Sequence, residues 1–434
     1  MSAERGAETR RERWTGLLLW LVVLVLLVLV GRSLAYVWRI TNHHDLDVFT
    51  LAAERLVAGQ DIYADVAPFQ EQVLAGLNMR DDSVAWPYMY PPLIALLFVP
   101  VQGLPVATVR AGWWAVNVAC LLGGTWLCLR ALGRVTPLRA ALALLLLWRF
   151  YPATVTLRLG QIELLQYLLL AATLHALSVR RERWAGLALG LATGLKFFPG
   201  ALIVLLLWQR RWRAAGWALG TALVAIFGSF ALVGLDAIPA YLRSTAMYGI
   251  GGAFAAFPLN QSLNGLFSRN LIRNGFTATL KGVHLPGLAR ALTLGSDALI
   301  VAASAWLTWQ AWPWARRAAD AANDNERSAL EYGLAVAALL LISPHSQVYT
   351  FVWALIPLIV LGVHLLERDA HWGLWLGYIA GFVLIGRQMR VYSPGVTRFF
   401  QSQQTFGAAL LWLLLALSLY LGWRRRAAPQ GVSE

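Results

Sequence analysis

Charge is scarce in this chain. Only 13% of the 434 residues are Asp, Glu, Lys or Arg, whereas 59% are hydrophobic, and the mean hydropathy is +0.58. Soluble domains carry about a quarter charged residues, so too little polar surface is available here to cover a water-facing body. Cysteine is nearly absent. Cys120 and Cys128 lie in one apolar run, two turns apart on a helix and too distant for a disulfide, and no Cys/His spacing of a zinc site occurs. The chain also lacks G-x-S-x-G, P-loop, H-E-x-x-H and G-x-G-x-x-G signatures, which excludes the common soluble catalytic and nucleotide-binding motifs. Neither an internal repeat nor an inverted pair of spans is visible, which weighs against a transporter built from repeats.

Long apolar runs are what the sequence has instead. Between Thr15 and Tyr36 the sole charge is Arg32, and about twenty apolar residues cross a bilayer. No small-residue cleavage site follows, so this run is a retained helix rather than a signal peptide. The net charge of +14 is explained by orientation rather than by nucleic acid, because the arginines cluster between apolar runs. These clusters are Arg10/Arg11/Arg13, Arg130/Arg134/Arg139, Arg180/Arg181/Arg183, Arg210/Arg211/Arg213, Arg316/Arg317 and Arg424/Arg425/Arg426. With all of them cytoplasmic, ten crossings are expected, near 15–36, 107–130, 138–154, 160–179, 214–235, 289–312, 329–343, 346–366, 372–387 and 405–423. The expected class is an all-α polytopic membrane protein of about 10–13 membrane-embedded helices, in a bacterial-type plasma membrane. Residues 1–14 and 424–434 are cytoplasmic ends of one transmembrane domain over 15–423, and the large outer loops are 37–91 and 236–288. Twenty-one tryptophans suit the two interfacial belts.

Two stretches do not fit a simple crossing. Residues 184–208 lie between two basic clusters, and half-helices broken at Lys196-Phe197-Phe198-Pro199-Gly200 keep both clusters inside. Leu93–Gly103 is short, bounded by prolines, and reads as a re-entrant piece on the outer side. The first outer loop is acidic, with Asp45, Asp47, Asp61, Asp65, Glu71, Asp81 and Asp82. Helical spacing is expected over Asp47–Ala58 and Val66–Leu77.

Polar residues at membrane depth point to a site on the outer face. Lys196 interrupts an apolar run, and a cation at a helix break suits a phosphate, or it snorkels to the headgroups. Arg158, Gln161 and Glu163 open the span at 160–179, where Arg158 and Glu163 either form a structural pair or serve the site. Asn42-His43-His44-Asp45-Leu46-Asp47 follows the first helix. It could be a metal site, but consecutive histidines cannot both turn inward on one helix face. A carboxylate at the mouth of a membrane cavity serves better as a general base. Asn260-Gln261-Ser262 either binds sugar hydroxyls or caps a helix over 263–272. Ser343-Pro344-His345-Ser346 forms a turn in which His345 either donates to a phosphate or is solvated.

In sequence these segments resemble glycosyltransferase family 87. The resemblance rests on Asp45-Leu46-Asp47-Val48-Phe49, Ala58-Gly59-Gln60-Asp61-Ile62-Tyr63, Tyr90-Pro91-Pro92-Leu93, Gly160-Gln161, Gly194-Leu195-Lys196, Asn260-Gln261-Ser262-Leu263 and Ser343-Pro344-His345, in the family's order, over about residues 40 to 365. It implies a GT-C fold and transfer of a hexose, typically mannose, from a polyprenyl-phosphate donor to an extracytoplasmic lipid or glycan acceptor, with inversion. Asp45 becomes the general base. Lys196, His345 and Arg158 become donor-phosphate ligands, and Asp47, Tyr90, Gln161, Glu163, Asn260 and Gln261 become substrate contacts, with Asp47 turned away from Asp45 on an extended segment. No metal or other cofactor is required, because cationic side chains stabilise the leaving phosphate. The chain departs from the family where many members carry a His pair after Ser-Pro, so acceptor preference does not carry over. The rival readings are a lipid-linked glycan transporter and a polymerase or ligase of lipid-linked oligosaccharide.

Overall fold

The computed structural model describes residues 2–74, 86–273, 284–310, 321–368, 370–387 and 401–427. Asp81, Asp82, Arg316, Arg317 and most of the outer segment 388–404 lie outside them. Every regular element among the described residues is helical, and the sole β-type pairing is an isolated antiparallel bridge between Asn260 and Gln347. The protein is an all-α polytopic integral membrane protein.

Helix α1 (Ser2–Arg39) contains the first span, and its leucines are largely exposed because they face lipid rather than protein. After Asn42-His43 the chain turns into α2 (His44–Val57), followed by α3 (Val66–Leu74). Helix α4 (Pro92–Phe98) continues as a 3-10 turn at Val99–Val101, short of a crossing, and packs against α2. The bundle then runs through α5 (Val106–Ala131), α6 (Pro137–Leu147), α7 (Tyr151–Leu159), α8 (Glu163–Ser178), α9 (Glu182–Leu195), α10 (Ala201–Trp208) and α11 (Trp212–Val233). Helices α12 (Ala237–Met247) and α13 (Leu263–Leu271) lie in the connection that follows α11. The remainder is α14 (Pro286–Gln310), α15 (Ala321–Ile342), α16 (Leu355–Glu367, entered through a 3-10 turn at Val348–Ala354), α17 (Trp372–Gly386) and α18 (Gln403–Ala427).

Six helices among the described residues are long and apolar enough to cross, with α6 and α7, bent by 60°, as a seventh broken span. The ten expected crossings are not reached on that criterion, and the reasons are physical. Helix α8 has 16 residues and α17 has 15, below the length of a full crossing. Helix α15 carries Glu326, Arg327 and Glu331 along its first half. Such helices rely on neighbours rather than on lipid. The segment at 348–367 is the opposite extreme, almost wholly enclosed by other helices.

The expected break at Lys196 is present. Helix α9 stops at Leu195, Lys196 is extended (φ −150°, ψ 136°), and Phe198–Gly200 form a 3-10 turn before α10. A Cβ at Gly186 would meet Ala214 and Trp217, at Gly190 Ala218 and Thr221, and at Gly194 Ala225. The matched positions rise together, so α9 and α11 are parallel. Helix α10 therefore returns the chain between them, and the two arginine clusters at 180–183 and 210–213 share one end of the bundle. The opposite end gathers the starts of α2 and α8, the Lys196 break and the turn at 343–347.

Candidate active site

A backbone lock positions Asp45. The N–H groups of Asn42 and His43 both donate to the carbonyl of Arg158, at 3.1 and 3.0 Å. His43, with φ 56° in the left-handed region, then turns the chain into α2. Gly160 ends α7 with φ 72°, and a Cβ there would lie 2.7 Å from the Cβ of Leu46. Only glycine lets the first turn of α2 approach the 160–163 turn this closely. Gly160→Ala is therefore expected to lower stability by about 1–3 kcal/mol and to displace Asp45, a loss readable as a lower melting temperature together with reduced activity.

Asp45 lies on the inward side of that first turn, with its side chain 18% exposed. Burial pushes its carboxyl up to about 7, reinforced by the negative charge of Glu163 and opposed by Gln161 and Lys196. Gln161 donates through Nε2 to the hydroxyl of Tyr90 at 2.9 Å. Glu163, fully buried, accepts a hydrogen bond and ion pair from Lys196 Nζ through Oε1, while its Oε2 has no protein partner. Lys196, one of only two lysines in the chain, also sits over the rings of Tyr90 at 5.0 Å and Tyr349 at 5.2 Å. Both geometries suit a cation–π contact.

His345 borders this cluster. Its ring meets that of Tyr248 at a tilt of 58° with centroids 4.5 Å apart, and its Nε2 lies 2.8 Å from Gln347 Nε2. Because the amide nitrogen donates, Nε2 accepts and Nδ1 carries the proton. That Nδ1 is buried without a hydrogen-bond partner. Burial, with the positive charges of Lys196 and Arg269, holds the imidazole down to about 3. His345 is thus a neutral donor, and Lys196 is the cation of this group.

The other expected residues fall elsewhere. The Asp47 segment is helical rather than extended, and positions two apart on a helix point nearly oppositely. Asp47 faces Arg110, whose guanidinium donates to both carboxylate oxygens at 3.0 and 2.8 Å. Arg158 contributes its carbonyl to the lock, and its charge acts on Tyr151; Glu163 is paired with Lys196 instead. Asn260 and Gln261 are fully buried and occupied by protein partners. Asn260 Nδ2 donates to the carbonyls of Ala255 and Pro344, and its Oδ1 accepts from Ser262 and from the Ser346 N–H. Gln261 Nε2 donates to Pro258 and Gln401, and its Oε1 accepts from the Gln404 N–H. Of the two readings of this motif, the geometry supports the structural one, with Ser262 capping α13 through the Gly265 N–H at 3.1 Å. The motif clamps the 343–347 turn and so holds His345 in place. Asn260→Ala, which leaves several buried groups unpaired, is expected to cost about 2–4 kcal/mol and to be measurable by chemical or thermal unfolding.

Tyr248, Tyr349 and Gln347 border the cluster without having been singled out from sequence. Tyr349 carried a faint signal, four residues beyond His345; Tyr248 carried none among 13 tyrosines. Among the described residues no three His, Cys, Asp or Glu side chains converge as a metal site would need.

A largely shielded carboxyl, a paired cation and an aromatic wall thus lie together at one end of the bundle. The family model for glycosyltransferase family 87 matches residues 88–344, more than half of the chain. The chain belongs to this family and is a glycosyltransferase. It is 29% identical over 451 aligned positions to a polyprenol-phosphate-mannose-dependent α-(1-2)-phosphatidylinositol mannoside mannosyltransferase of Mycobacterium tuberculosis, covering 98% of this chain and 92% of that one. A protein of the same description from Mycolicibacterium smegmatis is 26% identical, over 89% of this chain and 82% of its own. An α-(1->3)-arabinofuranosyltransferase of Mycobacterium tuberculosis is 37% identical over 143 positions, covering 32% of this chain and 33% of its own.

Proposed function

We propose that this glycosyltransferase moves a mannosyl residue from a polyprenyl-phosphate donor to a lipid or glycan acceptor outside the cytoplasm, with inversion. The observation that carries this reading is Asp45, a carboxyl held near 7 beside the buried Lys196–Glu163 pair, at the end of the bundle opposite the arginine clusters. The acceptor hydroxyl attacks the anomeric carbon and passes its proton to Asp45. The bond from that carbon to the phosphate oxygen breaks, and polyprenyl phosphate leaves with the electron pair. Lys196 uses one ammonium N–H on Glu163 and has two more for the departing oxygens. His345 adds an uncharged donor through Nδ1. A preorganised cation in a largely dry site stabilises that developing charge more strongly than water does. The phosphatidylinositol mannoside acceptors in the relatives' descriptions favour a glycolipid acceptor.

The donor reading is tested with purified protein in nanodiscs containing a phosphatidylinositol mannoside acceptor and offered polyprenyl-phosphate-mannose, polyprenyl-phosphate-arabinose or a mannose nucleotide. Release of polyprenyl phosphate from the first alone is expected. Transfer from the nucleotide would overturn the reading, and use of the arabinose carrier alone would reassign the sugar. Sidedness is a separate prediction. Because Cys120 and Cys128 are buried, a cysteine introduced at Gln60 is expected to react with an impermeant reagent added outside cells, while one at Trp212 does not. The reverse pattern would place the site on the cytoplasmic face.

A further inference from the structure

The arginine-rich end of the bundle holds a cavity of about 640 Å3 that the transfer chemistry does not use. It opens between the loop before α9 and the start of α11. Arg180, Arg181, Arg183, Arg211 and Arg213 line it, against the single acid Glu182. Two positions are built rather than merely clustered. The guanidinium of Arg183 lies 4.8 Å from the centre of the Trp217 ring. Arg211 donates to Ser328 at 2.9 Å and to the Leu177 carbonyl at 3.5 Å, tying α11 to α15 and α8. Helix α9 rises about 1.5 Å per residue, so its 14 residues separate this cavity from Lys196 by roughly 20 Å. The two sites are therefore independent.

Its surroundings identify the ligand class. Trp184 and Trp217, both exposed, line the cavity, and such rings settle at headgroup depth. From Trp217 the same side of α11 continues through exposed Val224 and Phe227, seven and ten residues on, a surface suited to hydrocarbon. A free anion needs the arginines but not this adjoining apolar track. A phospholipid uses both.

We propose that this cavity binds the headgroup of an anionic phospholipid of the leaflet at the arginine-rich end, with the acyl chains lying along α11. Basic cavities between membrane helices on that side recognise such headgroups, and each arginine near an anionic surface adds a several-fold gain in affinity.

The test is native mass spectrometry of the full-length protein in neutral detergent, titrated with phosphatidylglycerol or with phosphatidylcholine of the same chains. The protein is expected to retain phosphatidylglycerol preferentially. Arg180→Gln/Arg183→Gln is expected to weaken that lipid about thirtyfold and leave phosphatidylcholine unchanged. Arg213→Gln alone, which leaves the loop before α9 intact, is expected to lose about fivefold and keeps the test decisive if the double variant misfolds. Millimolar inorganic phosphate is expected to leave the lipid bound. Equal binding of the two lipids, unchanged affinity in Arg213→Gln, or displacement of the lipid by inorganic phosphate would overturn the proposal, the last pointing to a free-anion site.

Discussion

Asp45→Asn is expected to reduce sugar transfer by two to four orders of magnitude, roughly the contribution of a positioned general base, while folding and donor binding persist. Asparagine retains the size and much of the hydrogen bonding but cannot accept the proton of the acceptor hydroxyl. Asp47→Asn supplies the contrast. Its ion pair with Arg110 is about half exposed on the aspartate side, and pairs of that kind contribute between about zero and 1 kcal/mol. Its loss is expected to be small. Single-turnover kinetics with labelled donor distinguish the two variants, and equal losses would assign the acidic residues a shared structural role.

Lys196→Ala is expected to impair donor use on the order of a hundredfold, the scale of removing one donor to a developing oxyanion. The structure adds a complication, because alanine also strands the buried Glu163 carboxylate. Breaking one side of a buried pair costs about 3–5 kcal/mol. Lys196→Ala/Glu163→Gln removes both charges together and is expected to recover most of the stability but none of the donor use. Lys196→Arg keeps the charge with altered reach and is expected to retain part of the activity. Donor affinity recovered in the double variant would confine Lys196 to neutralising Glu163.

The relation between sequence and site is uneven for identifiable reasons. The break at Lys196 was legible because a charge, a proline and a glycine interrupt an apolar run, and local chemistry sufficed. The partner of Glu163 was not. Arg158 is five residues away in sequence and Lys196 thirty-three, and the choice depends on how α8 packs against α9. The amides of Asn260 and Gln261 were ambiguous for a similar reason, since their partners at Pro344, Ser346 and Gln401 are remote in sequence. Fewer helices than the ten expected crossings meet a length-and-hydropathy criterion among the described residues, because that criterion does not register a shorter helix sheltered by neighbours. His345 lies in the expected turn and borders the cluster, but its charge state depends on burial beside Lys196 and Arg269, which no local pattern reveals.

The account stands most directly on the ionisation of Asp45. A general base must be ionised to act, so a carboxyl held up to about 7 predicts a limb in kcat/KM that falls about tenfold per pH unit below that value. Glu163→Gln removes a negative charge that raises this carboxyl, so the limb in that variant is predicted to move to lower pH. The measurement is the pH dependence of kcat/KM for the wild type and Glu163→Gln between pH 5 and 8, with saturating acceptor. A wild-type limb near pH 7 that shifts downward in the variant is the predicted result. A flat wild-type profile, or a limb that Glu163→Gln leaves in place, would contradict the assignment of Asp45 as the base.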